Sequence, residues 1–186
     1  MQHTEILRQR IAEECKDVRL NLSAVLTSQS SLSEAQRWGT AVAAAAAARC
    51  GELGRAIAQD ALLAVDARVL EDARAAAALM AMNNVYYRFR HMVEKPVYAT
   101  KRPALRMNRL AQPATNKLDF ELFCLAVSAI NGCGTCVQAH EKVVLEGGLS
   151  EDQVHDAVRI ASVIHSAAVA LEMLDMVPGA PAGNAG

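Results

Sequence analysis

Alanine constrains this chain more than any other feature. It supplies 36 of the 186 residues, and Gly39 to Ala48 is a nearly unbroken small and apolar run closed by Arg49. Alanine is the strongest helix former and brings little side-chain volume. Aromatic residues are 4% of the total and the β-branched residues are scattered, so composition disfavours a β sandwich or barrel and predicts an all-α protein. The length suits one domain with a substantial core and no need of disulfide staples. Lys and Arg are mixed among Asp and Glu to a net charge of −1, which leaves no broad basic surface for nucleic acid. The alanine run is far short of a membrane span, and Met1 to Arg10 lacks the apolar core of a signal peptide. A soluble, cytoplasmic protein with neither membrane nor nucleic acid as partner is therefore expected. The end, Val177-Pro-Gly-Ala-Pro-Ala-Gly-Asn-Ala-Gly186, reads as a flexible tail over 177–186, after a single helical domain over 1–176.

Helix punctuation is clear in several places. Ser33-Glu-Ala-Gln36 and Ser150-Glu-Asp-Gln153 match the capping box, and Asp66 and Asn116 are candidate caps of two more helices. Pro96, Pro103 and Pro113 mark a connecting region from about Glu94 to Thr115. The pattern predicts helices near 4–16, 34–49, 51–63, 67–81, 84–94, 117–130, 133–146 and 151–175. Ala81-Met-Asn-Asn84 and Ala129-Ile-Asn-Gly132 lie 48 residues apart, each between two predicted helices. Duplication of a helical hairpin explains this echo, and so does coincidence in an alanine-rich chain.

Five cysteines, an odd number, do not resemble a secreted disulfide framework. Cys133 and Cys136 form a CxxC just after Asn131-Gly132, which reads as a helix stop. The next helix should begin at or beside Cys133. Both sulfurs then lie where free N–H groups and the helix dipole favour a thiolate. His140 follows Cys136 by four residues and Cys133 by seven, so the three project from one helical face. A neighbouring imidazole can accept a thiol proton or stabilise the thiolate. Glu121 sits at the edge of the apolar stripe Leu118, Leu122, Leu125 and Ala129. It either pairs with His140 to relay a proton or snorkels to solvent.

The readings of the CxxC separate on their neighbours. A c-type haem site needs His directly after the second Cys, where this chain has Val137. Zinc on Cys133, Cys136 and His140 lacks an obvious fourth ligand. A thioredoxin domain would surround the motif with strands. Inert buried cysteines remain the bland reading, and a redox dithiol fits best. Cys15, Cys50 and Cys124 read as small packed hydrophobes. His165 falls on a stripe with Val154, Val158, Ala161 and Ala168 and reads as a core histidine. Trp38 and Tyr86-Tyr87 read as core or interface, and the arginines at 88, 90, 102, 106 and 109 as a solvated face.

The chain resembles the alkyl hydroperoxidase D (AhpD) family of the carboxymuconolactone-decarboxylase-like superfamily over most of residues 3–176. Its anchors are Lys16-Asp-Val-Arg-Leu-Asn-Leu22, Gln36-Arg-Trp-Gly-Thr40, Met80-Ala-Met-Asn-Asn-Val-Tyr-Tyr-Arg88, Leu105-Arg-Met-Asn108 and, above all, Phe120-Glu-Leu through Ala126-Val-Ser-Ala-Ile-Asn-Gly-Cys-Gly-Thr-Cys-Val-Gln-Ala-His-Glu141. The resemblance implies an all-helical fold with an internally repeated helical unit, assembled as a homotrimer. It implies an antioxidant peroxidase that reduces organic hydroperoxides through a CxxC dithiol–disulfide cycle. No cofactor is bound, dihydrolipoamide on a lipoylated acyltransferase is the electron donor, and a peroxiredoxin-type alkyl hydroperoxide reductase is regenerated. By motif, Cys136 matches the cysteine that becomes a sulfenic acid, and Cys133 its proton donor and disulfide partner. Glu121 and His140 match the proton relay. The family match thus orders two cysteines that spacing alone leaves interchangeable. Alternatives are a dithiol electron carrier with little peroxidase activity of its own, or a metal-binding module using the same Cys and His. One departure stands out: some members carry His just before the second cysteine, where this chain has Thr135.

Overall fold

The computed structural model describes residues 1–27 and 30–176, so the expected tail over 177–186 lies outside the described residues. The described residues form an all-α protein without a strand. Helix α1 (Gln2–Arg10) and a 3₁₀ turn (Glu13–Cys15) precede α2 (Lys16–Thr27), α3 (Glu34–Ala48), α4 (Gly51–Leu62) and α5 (Ala67–Val93). Two short helices follow, α6 (Pro96–Thr100) and α7 (Asn108–Ala111), then α8 (Lys117–Ile130), α9 (Gly134–Glu146), α10 (Glu151–Glu172) and a 3₁₀ turn (Met173–Met176).

The caps read from sequence are in place. Both capping boxes form, with Ser33 and Ser150 accepting from the N–H groups of Gln36 and Gln153. Asp66 accepts from the Arg68 N–H and Asn116 from the Asp119 N–H. Two boundaries differ from expectation. The helix predicted over 4–16 ends at Arg10, a 3₁₀ turn follows, and α2, which the pattern does not predict, takes up the chain at Lys16. The helices predicted over 67–81 and 84–94 are one 27-residue helix. Asn84 is not a breaker because its side chain bonds sideways: Nδ2 donates to Ser128 Oγ at 2.9 Å and Oδ1 accepts from Asn131 Nδ2 at 2.9 Å. Ala81–Asn84 is therefore mid-helix while Ala129 and Ile130 end α8 and Asn131-Gly132 turns, and the 48-residue echo does not mark equivalent places.

A different correspondence is visible. Helices α3, α4 and α5 are followed 83, 83 and 84 residues later by the starts of α8, α9 and α10. Cys50, the N-cap of α4, thereby matches Cys133, the N-cap of α9. Helices α3 and α8 pack on each other at the centre, and each also packs on both long helices, α5 and α10. Alanine makes this approach close. Ala41, Ala43, Ala44, Ala73, Ala76, Ala126, Ala157 and Ala167 are fully buried between helices. At Gly39 a side chain would run into the Phe123 ring, so glycine here is a steric requirement of the α3–α8 contact. By length and composition α10 is apolar enough to cross a membrane. Here it is a core helix, with Ala157, Ile160, Ala161, Ile164, Ala168 and Leu171 buried. His165 is exposed, not in the core as its stripe implied. Ala161 and Ala168 of that stripe are buried but Val154 and Val158 are only half-buried, so the stripe runs along the edge of the buried face.

Candidate active site

Helix α8 is buried from Phe120 to Ser128, and Glu121 is buried with it. An unpaired carboxylate there would cost several kcal/mol, on the order expected for a buried ion. It is paired: Glu121 Oε2 lies 2.6 Å from His140 Nδ1 on α9. The other ring nitrogen, Nε2, lies 3.2 Å from the thioether of Met80 on α5. A thioether accepts but does not donate, so this contact is a hydrogen bond in the tautomer with the hydrogen on Nε2. Nδ1 and Oε2 are close enough for a proton to lie between them. The pair can hold and return protons, as the relay reading requires, and the snorkelling alternative for Glu121 is excluded.

The turn between α8 and α9 sets the cysteines. The Cys133 N–H donates to Ser128 O at 3.1 Å, and its own carbonyl accepts the first α9 bond, from the Val137 N–H, at 2.9 Å. Cys133 is thus the N-cap of α9, and Cys136 falls in its first turn. Their sulfurs are bonded to each other, with Cα atoms 5.3 Å apart. Arg88 braces the turn by donating to the carbonyl of Asn131. The Thr135 hydroxyl lies 3.7 Å from Cys133 Sγ.

A pocket of about 320 Å³ opens over this turn, lined by Met80, Asn83, Tyr87, Met107, Leu110, Thr135, Cys136, Ala139 and His140. The two cysteines are not equivalent towards it. Cys136 borders the pocket, whereas Cys133 is fully buried behind it. Cys136, His140 and Glu121 are therefore brought together, and Cys133 joins them through its sulfur alone.

Cys50 and Cys124 are buried and do not line this pocket. Burial pushes the Cys124 thiol well up, and the nearby Glu121 carboxylate adds to the shift. Burial likewise raises Cys50. Among the described residues no three His, Cys, Asp or Glu side chains are grouped to hold a metal ion.

Comparison with known proteins agrees with the motif reading. Residues 96–177 match the carboxymuconolactone decarboxylase family. The chain is 63% identical over 169 residues to the alkyl hydroperoxide reductase AhpD of Anaeromyxobacter dehalogenans strain 2CP-C, covering 91% of this chain and 90% of that protein. It is 56% identical over 185 residues to the protein of the same name from Anaeromyxobacter sp. strain Fw109-5, covering 100% of each. The chain belongs to the AhpD family. A further AhpD, from Gluconacetobacter diazotrophicus, is 50% identical over 168 residues, 90% of this chain and 92% of that one.

Three parts of this AhpD site escaped the sequence reading. Met80 and Asn83 reach the pocket from α5, and Met107 from the stretch before α7. A signal existed for one of them: two adjacent asparagines inside a helical segment are unfavourable unless their side chains have work elsewhere. Arg102 and Arg106 are exposed, as a solvated face requires, but Arg88 and Arg109 are half-buried and turn inward. Arg88 holds the α8–α9 turn, and Arg109 donates to the fully buried Asp72 at 2.9 Å. Tyr87, expected in the core or an interface, lines the pocket.

Proposed function

We propose that this protein is an alkyl hydroperoxide reductase working through a Cys133–Cys136 dithiol–disulfide cycle. The observation that carries the reading is the arrangement at one pocket: Cys136 and His140 border it, one helical turn apart, and Glu121 stands behind His140. The AhpD relatives, named for this activity, support it.

In the reduced protein the Cys136 thiolate attacks the terminal oxygen of ROOH. The O–O bond breaks, Cys136 becomes a sulfenic acid, and the leaving alkoxide takes a proton from the Glu121–His140 pair to depart as ROH. The Cys133 thiol then attacks the sulfenic sulfur, forming the disulfide and releasing water. Two thiols of dihydrolipoamide restore the dithiol and leave as lipoamide disulfide. The first-turn position of Cys136 in α9 stabilises its thiolate. The pocket wall of Met80, Met107, Leu110 and Ala139 favours an organic peroxide over a fully hydrated one.

On this reading the protein needs no bound cofactor. It draws electrons from a lipoylated acyltransferase and passes them to a peroxiredoxin-type alkyl hydroperoxide reductase, acting as a homotrimer in the cytoplasm. Steady-state turnover of tert-butyl hydroperoxide with dihydrolipoamide tests it. Turnover should need no peroxiredoxin, and Cys136→Ser should reduce it to the rate of the uncatalysed thiol–peroxide reaction. Full activity in Cys136→Ser would refute the reading. Turnover that required added peroxiredoxin would leave an electron carrier and not a peroxidase.

A further inference from the structure

Two adjacent asparagines on α5 are used in opposite ways. Asn84 is saturated by Ser128 and Asn131 at the α8–α9 turn. Asn83, one residue earlier, is 5% exposed and lines the pocket beside Cys136 and His140. Its Nδ2 donates to the thioether of Met107 at 3.1 Å, a weak acceptor, and its Oδ1 has no partner. A buried carbonyl without a donor is costly, by about 1–3 kcal/mol for a typical group. Most of the pocket wall is apolar, so this orphan acceptor stands out as a polar group of the pocket that Cys136 also borders.

We propose that Asn83 positions the substrate by accepting the O–H of the hydroperoxide at Oδ1. This inference rests on the peroxidase reading above. An organic hydroperoxide carries one O–H, on the terminal oxygen that the Cys136 thiolate attacks. A carboxamide that takes that hydrogen holds the terminal oxygen beside the sulfur while the apolar remainder lies against Met80, Met107 and Leu110. Met107 holds the Nδ2 end of the amide and lines the same pocket. Its flexible thioether can swing aside as the peroxide enters. The bond is present in the bound substrate, so its loss appears chiefly in KM and less in kcat.

The test compares Asn83→Leu, Asn83→Gln and Asn84→Leu with the parent protein in tert-butyl hydroperoxide reduction by dihydrolipoamide, alongside thermal unfolding. Asn83→Leu should raise KM for the peroxide about tenfold, the size of one lost hydrogen bond, with kcat changed by less than about threefold. Its unfolding midpoint should stay level or rise, because an unsatisfied buried acceptor has been removed. Asn83→Gln, which keeps the carboxamide, should recover part of the KM. Asn84→Leu should lower the midpoint. An unchanged KM in Asn83→Leu would overturn the proposal. So would a lowered midpoint or failure to fold, which would make Asn83 a structural residue like its neighbour. A parent protein that does not turn over peroxide would instead refute the peroxidase reading itself.

Discussion

Glu121 and His140, on consecutive helices, face each other across 2.6 Å in a site where water has little access. Replacing Glu121 by Gln keeps the shape and removes the negative charge that holds the ring and its proton. General acid–base groups contribute about 10²–10⁴-fold, so kcat/KM for tert-butyl hydroperoxide should fall at least about a hundredfold in Glu121→Gln. Circular dichroism should show an intact helical fold. A variant with parental kcat/KM would remove the pair from the mechanism.

Asp72 ties the pocket's outer wall to the core. From α5 it accepts from Arg109, from the N–H groups of Ala114 and Thr115, and from the Thr115 hydroxyl, at 2.7 to 2.9 Å. These bonds fix the segment after Met107 and Leu110, two pocket residues. Asp72→Ala should destabilise the protein by about 3–5 kcal/mol, the cost of leaving buried partners uncompensated. Denaturant unfolding measures that loss. The peroxide KM should rise as the wall loosens.

Asp60 makes stability depend on acid. It accepts from the N–H groups of Gln2, His3 and Thr4 at 2.8 to 3.0 Å and so caps α1. Burial pushes its carboxyl up, but the bonds from Thr4 and His3 outweigh burial and hold it below the ordinary carboxylate range. A carboxyl lowered in the folded state stabilises above its unfolded value, about 3.9, and the contribution fades as pH falls through the folded value. Asp60→Asn should therefore be less stable than the parent at pH 7. The difference should close below about pH 4 when both are unfolded by urea.

Gly39 tests the close packing that alanine and glycine permit. Gly39→Ala places a methyl against the Phe123 ring at the α3–α8 contact. Overpacking of this kind costs about 1–3 kcal/mol. The thermal midpoint should drop by roughly 2–10 °C for a chain of this length. A level midpoint would mean that the two central helices can separate at no cost.

The features legible in the sequence were local ones. Ser33, Asp66, Asn116 and Ser150 announce helix starts because a cap depends on residues within one turn. The Cys136–His140 spacing was legible for the same reason. What stayed hidden depends on distant partners. Asn84 reads as a helix breaker until Ser128 and Asn131 supply its bonds from the α8–α9 turn. His165 reads as a core residue because its stripe straddles the edge of the buried face of α10: Ala161 and Ala168 are buried, while Val154 and Val158 are only half-buried. That Cys136 borders the pocket and Cys133 does not depends on how α5 and α9 meet, and no spacing within the CxxC encodes that meeting.

The central claim is that Cys136 takes the peroxide oxygen and Cys133 resolves it. The direct measurement is mass spectrometry of reduced Cys133→Ser and Cys136→Ser after one equivalent of tert-butyl hydroperoxide with dimedone, a sulfenic-acid trap. The account predicts one dimedone adduct on Cys136 in Cys133→Ser and none on Cys133 in Cys136→Ser. It also predicts, in the parent protein, a Cys133–Cys136 disulfide that dihydrolipoamide reverses. An adduct on Cys133 in Cys136→Ser, with Cys136 unlabelled in Cys133→Ser, would contradict it.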